Sequence, residues 1–257
     1  MPFTLAHPAA VLPLRGVPYL RTTPLILGAM VPDAPYYVPA SLARFMRETH
    51  TALGSVTSCL ALGYLGLAAL VLLRRPLTAL LSARARFLCL SAVAPFTRRQ
   101  PLEWLFAALA IVAGVWSHLL WDSFTHIDGW LVRAIPQLSL SVSALGYSGP
   151  LYHVLQYVSS AVGLLVLAVW YARLPVPRAA PPTPGATRSS VGPILLLIVA
   201  AAVLIGGVQA EQHYAHEAVI YPTIDVFLTR SIAWFALLYL VAGAVVTLER
   251  QGITAVR

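Results

Sequence analysis

Five stretches of this chain are apolar for the length of a bilayer crossing, and no other feature limits its folding so strongly. A helix rises about 1.5 Å per residue, so about twenty mostly apolar residues cross the hydrocarbon core. Residues 53–73, 104–121, 155–172, 191–209 and 231–248 qualify. Lipid offers no hydrogen bonds to an exposed backbone, so each run must pair its own N–H and C=O groups as a helix. The chain has 257 residues, 59% hydrophobic and 10% charged, with a mean hydropathy of +0.78. A soluble domain carries about a quarter charged residues. The expected fold class is therefore an all-α integral membrane protein. It would have about five transmembrane helices in a single membrane domain, and an interfacial N-terminal segment packed on the outer side. Trp104, Trp121, Trp170, Tyr171 and Trp234 mark span ends, where an aromatic belt belongs.

The formal net charge is +8, and all 17 basic residues are arginine. They sit mainly between spans, so they signal topology rather than a nucleic-acid partner. Eleven fall on one side: Arg74, Arg75, Arg84, Arg86, Arg98 and Arg99 after span one, Arg173, Arg178 and Arg188 after span three, and Arg250 and Arg257 in the tail. The other side holds six arginines together with Asp33, Glu48, Asp122, Asp128, Glu211, Glu217 and Asp225. The positive-inside rule then puts the C-terminus in the cytoplasm and the N-terminus outside. The two cysteines, Cys59 and Cys89, do not form the closely spaced pair of a thiolate metal site.

Residues 1–52 are broken by Pro13, Arg15, Pro18, Arg21 and Pro24. They are expected to lie on or dip into the outer interface and cap the bundle, not to form a span or a cleaved signal peptide. Residues 135–154 read as a second interfacial piece. Residues 173–190, with PVPRAAPPTPGATRSS, read as a flexible Pro-rich cytoplasmic linker.

Span two closes on SHLLWDSFTH, which puts His118, Asp122 and His126 at i, i+4 and i+8. Residues four apart share a helix face, so the three make one polar stripe. Ionisable residues in a membrane are costly and face a bundle interior or a cavity. Other imidazoles and carboxylates fall on the same side: His7 before Pro8, Asp33 in the Pro-bracketed turn GAMVPDAPYY, and His50 in RETHTALGS just before span one. Imidazole nitrogen and carboxylate oxygen are ligands that zinc, iron and manganese accept. Secondary candidates are His153, Gln156 and Ser160 at the outer start of span three. Gln156 and Ser160 are four apart and either face the site or glue spans together. EQHYAHE, at 211–217, offers His213 and Glu217 at i, i+4 in the next outer loop, as a second metal pair, a proton relay or a solvated loop.

MPFTLAHPAAVLPL, GAMVPDAPYY, THTALGS, SHLLWDSFTH and LYHVLQYVSSAVGL occur in that order, and together they resemble the DUF4184 family of bacterial membrane proteins of unknown function. The chain is also similar to a broader group known as membrane-bound metal-dependent hydrolases. That group shares the order His, Pro-Asp, Thr-His, Ser-His-x-x-x-Asp. The resemblance runs through the first three spans and implies a multi-pass protein of the bacterial cytoplasmic (inner) membrane. A more distant similarity, to zinc-dependent phospholipase C and the P1-type nucleases, implies His7, Asp33, His50, His118 and Asp122 as ligands of a divalent metal ion, zinc first. This chain lacks a second His-x-x-x-Asp/Glu helix, so the similarity implies one or two metals rather than three.

The chain has no dinucleotide fingerprint, Walker-type loop or Gly-x-Ser-x-Gly elbow. The expected function is metal-dependent hydrolysis of a membrane lipid or lipid-linked phosphoester or diphosphate at the outer interface. Asp122 and His126 would be the catalytic residues, with His126 as general acid or as orienter of a ligand. One alternative is a metal-dependent isoprenoid-diphosphate transferase or cyclase, which the missing Asp-rich motifs disfavour. The other is a non-catalytic scaffold or ion-binding protein. A transport path is disfavoured because spans one, four and five carry no ionisable residue.

Overall fold

A computed structural model describes residues 4–98, 100–144, 147–175, 188–217 and 220–255, with side chains described for all of these except 144, 188–190, 217, 220–222 and 252–255. The helices are α1 Pro8–Val11, α2 Thr22–Met30, α3 Ala40–Ala43, α4 Ala52–Val56, α5 Ser58–Leu72, α6 Arg74–Ala79, α7 Ala83–Thr97, α8 Pro101–Thr125, α9 Trp130–Ala134, α10 Leu151–Arg173, α11 Arg188–Glu217 and α12 Ile220–Ala255. Single 3-10 turns link the short N-terminal helices, and one hairpin is formed by β1 Ser141–Ala144 and β2 Tyr147–Pro150.

Among the described residues, five helical stretches are long and apolar enough to cross a membrane: Ala52–Leu72, Pro101–Thr125, Leu151–Arg173, Val191–His216 and Thr223–Gln251. Each contains or closely matches one of the five expected spans. Their outward faces carry leucines such as Leu65, Leu105, Leu109, Leu165, Leu196 and Leu204, each more than half exposed. Water would penalise a surface of that kind and lipid does not, so this is a multi-pass membrane protein.

The chain divides into two compact units. The first comprises Met1–Pro35, Ala43–Leu67 and Gln100–Leu174. Its centre is the crossing of α2 and α8. A Cβ on Gly114 would lie 2.3 Å from the Leu25 carbonyl oxygen, and one on Gly28 would lie 2.1 Å from the Ile111 carbonyl oxygen. Only glycine at both places lets the two backbones touch. Leu25, Ala29, Ala110, Ile111 and Val115 are wholly buried around the contact. At the start of both helices Arg21 grips Glu103 bidentately, Nε to Oε2 at 2.8 Å and Nη2 to Oε1 at 2.5 Å. The N-terminal segment thus lays α2 along the middle of α8 instead of only capping the helix ends.

Thr51 caps α4, its Oγ1 accepting from Gly54 N at 2.9 Å. The first span breaks at Thr57, whose hydroxyl donates to the Leu53 carbonyl at 2.9 Å, and resumes as α5. Tyr64 on α5 donates to the Trp104 carbonyl of α8 at 2.7 Å, and Trp121 Nε1 on α8 donates to Ser159 Oγ of α10 at 3.1 Å. Residues 135–154, read as an interfacial piece, contain this hairpin as a local exception in the all-α fold. LSLSVSA alternates with period two, which is a strand signal, and Ser143 and Ser148 pair across it, Oγ to Oγ 2.9 Å.

The second unit comprises Tyr36–Leu42, Ala68–Arg99 and Pro175–Arg257. The basic stretch after the first span is helical, with Ser82 capping α7 through Ala85 N at 3.3 Å. Cys89 therefore lies on the exposed face of a helix, not in a loop. α6 seats on α12, where Tyr239 OH donates to the Leu77 carbonyl at 3.1 Å. EQHYAHE, expected in a loop, forms the last turns of α11. Its Ala, Glu and Gln are good helix formers, and no proline follows Pro193 until Pro222. Residues 176–187 of the expected Pro-rich linker lie outside the described residues.

Candidate metal centre

Four side chains from three segments of the first unit meet at one point. His118 and Asp122 project one turn apart from the end of α8. Asp33 follows α2 in the 3-10 turn Val31–Tyr37, whose prolines keep it from continuing as an α-helix. His50 stands just before α4. Its neighbour Thr49 donates Oγ1 to the Pro32 carbonyl at 2.8 Å and accepts at its own carbonyl from Cys59 Sγ at 3.2 Å. The motifs GAMVPDAPYY, THTALGS and SHLLWDSFTH are therefore locked together by backbone as well as side-chain contacts.

One atom from each residue converges: Asp33 Oδ1, His50 Nε2, His118 Nε2 and Asp122 Oδ2. His118 Nε2 lies 3.4 Å from Asp33 Oδ1 and 3.1 Å from Asp122 Oδ2. His50 Nε2 lies 3.3 Å from Asp33 Oδ1 and 3.7 Å from Asp122 Oδ2. All four residues offer ligand atoms within 4.8 Å of one another. Tetrahedral ligands held at about 2.0–2.1 Å from a zinc ion lie about 3.3–3.4 Å apart, so the spacing fits such an ion.

Hydrogen bonds around the group fix its donors. His118 Nδ1 donates to the Ala29 carbonyl at 2.8 Å, which leaves Nε2 facing the centre. Thr4 Oγ1 donates to Asp33 Oδ2 at 2.6 Å and leaves Oδ1 facing it. His118 Nε2 and Asp33 Oδ1 are buried and make no hydrogen bond of good geometry among the described residues. Leaving a buried polar atom unpaired costs about 1–3 kcal/mol, and here two such atoms lie 3.4 Å apart. Burial alone would raise the Asp33 pKa. The His118 and His50 imidazoles 3.4 and 3.3 Å from Oδ1 outweigh it and hold the carboxyl well below the usual carboxylate range. The back of the site is closed, with the Asp33 and His118 side chains fully buried, while the His50 side chain is 35% exposed.

The second oxygen of Asp122 is also engaged. His7 Nε2 lies 3.1 Å and His126 Nδ1 3.3 Å from Asp122 Oδ1. The His7 ring stacks on His118 at 3.9 Å and lies 5.5 Å from Trp121. His126 is the first residue past the helix, with extended backbone, so the stripe is completed by a cap rather than by a further turn. Its Nε2 meets Gln156 Nε2 of α10 at 3.2 Å, and its Nδ1 lies 3.1 Å from Thr125 Oγ1. Burial pushes its pKa below the ordinary histidine value against the opposing charge of Asp122, which favours a neutral ring.

Of the expected site residues, Asp33, His50, His118 and Asp122 form the group, and His7, His126 and Gln156 border it. Ser160 is buried on α10 in line with Gln156. His153 stands outside the group, its ring edge-on to Tyr152 at 4.7 Å. His213 belongs to the second unit, 3.5 Å from Thr223 Oγ1, and the Glu217 side chain lies outside the described residues. Sequence reasoning missed Thr4 and the Ala29 carbonyl. Thr4 sits three residues before His7 in a stretch already singled out. A backbone carbonyl leaves no mark in a sequence beyond its neighbouring Gly28.

The chain matches the family model described as Domain of unknown function (DUF4184) over residues 1–248, and it belongs to that family. No curated protein and no solved structure matches it.

Proposed function

For this member of the DUF4184 family, we propose a membrane-bound metal-dependent hydrolase acting on the phosphoester or diphosphate of a lipid or lipid-linked substrate. The reading places the site at the outer face of the bacterial inner membrane, with the C-terminus in the cytoplasm. The observation that carries it is the pair of buried atoms without hydrogen-bond partners, Asp33 Oδ1 and His118 Nε2, turned on the same point as His50 Nε2 and Asp122 Oδ2. Zinc suits two imidazoles and two carboxylates, and iron or manganese would also be accepted. What a divalent ion supplies when bound is activation of water at neutral pH and stabilisation of charge growing on a phosphoryl oxygen.

The protein's own groups have distinct parts in this reading. Thr4 and the Ala29 carbonyl orient Asp33 and His118, which form the closed back of the site. Both nitrogens of His126 are engaged, by Asp122 and Thr125 on one side and Gln156 on the other, which favours the orienting role over that of a free proton donor. His7 addresses the other oxygen of Asp122 and is the residue that would help hold a second ion. The His50 side chain, 35% exposed, forms the less enclosed edge of the group.

The test is metal content of the detergent-purified protein by elemental mass spectrometry, followed by hydrolysis assays on phosphorylated lipids. One or two equivalents of zinc, iron or manganese are expected. His118→Ala and Asp122→Ala should lose them with the helical content kept, and His7→Ala should remove only a second equivalent. A protein that binds none of these ions after reconstitution, with unchanged variants, refutes the reading and leaves a non-catalytic scaffold.

A further inference from the structure

An apolar groove of about 470 Å³ runs along the first unit between α1, α8 and α10. Ala10, Leu120, Trp121, Phe124 and Leu155 form most of its wall. Leu120 and Phe124 are 51% and 39% exposed, so the groove is open along one side. Two of its three helices are spans, and what surrounds a span is hydrocarbon. Three polar side chains reach the wall, and each is already engaged. Ser117 Oγ donates to the Gly114 carbonyl at 2.7 Å, Thr125 Oγ1 donates to the Trp121 carbonyl at 3.2 Å, and Ser159 Oγ accepts from Trp121 Nε1 at 3.1 Å. The groove thus suits an occupant without hydrogen-bonding groups along its length.

One end adjoins the metal centre. Trp121 lines the groove, precedes Asp122 and lies against His7, and Thr125 lines it while its hydroxyl sits 3.1 Å from His126 Nδ1. An occupant therefore has its apolar length between two spans and a polar end at Asp122. We propose that the groove is the subsite for one acyl chain of a glycerophospholipid whose phosphate end reaches the His7–Asp122–His126 side of the centre. Its second chain stays in the bilayer. The open side admits such a lipid directly from the surrounding leaflet, where glycerophospholipids are the bulk component. The head-group end of this assignment rests on the hydrolase reading, and the chain end stands on the groove alone.

The experiment is native mass spectrometry of the full chain, purified in mild detergent and supplied with dipalmitoyl phosphatidylcholine. Wild type is compared with Leu155→Trp and with Ala10→Phe, which fill the groove from α10 and from α1 and replace none of the proposed ligands. The wild type should retain one lipid. Each variant should hold it about ten- to a hundredfold more weakly, since an added ring displaces several methylenes, with metal content equal to wild type. Equal retention by wild type and both variants overturns the subsite. Preferential retention of a polyprenyl phosphate supplied in competition overturns the occupant. Lipid lost in the variants from a protein that never holds metal supports the groove while sinking the hydrolase reading.

Discussion

Gly114→Ala adds one methyl group at the point where α2 and α8 touch, and its effect can be worked from the structure. The new Cβ would lie 2.3 Å from the Leu25 carbonyl oxygen and 2.8 Å from Ala29 N. An ordinary carbon–oxygen contact is about 3.3 Å, so α2 must withdraw by about 1 Å. The hydrogen bond from His118 Nδ1 to the Ala29 carbonyl, 2.8 Å long, then exceeds hydrogen-bonding distance. Overpacking costs about 1–3 kcal/mol and a buried donor without its partner about 1–3 more, so the expected destabilisation is about 2–6 kcal/mol. Loss of an orienting partner also weakens metal binding about ten- to a hundredfold. Gly16→Ala is the matched control, since a Cβ there meets nothing within 4 Å, and its effect should stay within about 0.5 kcal/mol. The assays are thermal unfolding in detergent and competition for metal against a chelator of known affinity. If Gly114→Ala behaves like Gly16→Ala in both, the α2–α8 contact does not position His118 and the reasoning fails.

Three further outcomes are expected. His126→Ala should keep metal stoichiometry but lower affinity about ten- to a hundredfold, because it holds Asp122 Oδ1 and gives no atom to the four-residue group; loss of all metal, read by elemental analysis, would contradict this. Acidification from neutral pH to about pH 5 should release metal, because imidazoles must be neutral to bind it. Asp33 is not the cause in that window: its folded pKa is depressed, so its contribution is complete above the unfolded value of about 4 and is lost only as pH falls below that. Proton-coupled release, followed with a metal indicator, should therefore keep its midpoint in Asp33→Glu. Arg21→Ala should cost about 0.2–1 kcal/mol with no change in metal content, since the Arg21 side chain is half exposed and its pair with Glu103 stands at the other end of α8 from His118.

The five spans were legible because lipid makes the pattern simple: about twenty apolar residues leave one backbone solution. Ends were less legible. α8 runs to Thr125 past Trp121, since Asp122 and Ser123 can continue a helix once neighbouring segments pair with them. EQHYAHE is hard to tell from a loop because its composition is polar, and α7 because its arginines mark a connection between spans, although neither stretch has a glycine and only α7 contains a proline. The hairpin was written in LSLSVSA and passed over between two strong spans. At the site, ligand-type residues stood out by chemistry, and their order pointed to one rim. Which atoms face inward depended on partners far along the chain, Thr4 for Asp33 and Ala29 for His118, and no local pattern carries such pairings.

The ligand group draws on Asp33, His50, His118 and Asp122, so an ion seated there would act as a cross-link closing a loop of about ninety residues. For a covalent bridge over a loop of that size, the chain-entropy argument gives about 4–5 kcal/mol. The set is also incomplete until Asp122 has been synthesised. The first two spans and α2 would therefore have to be in place before an ion could be captured, so loading would follow them. Scarcity of metal during growth would then show first as faster proteolytic turnover of newly inserted chains, and only later as lost activity in mature ones.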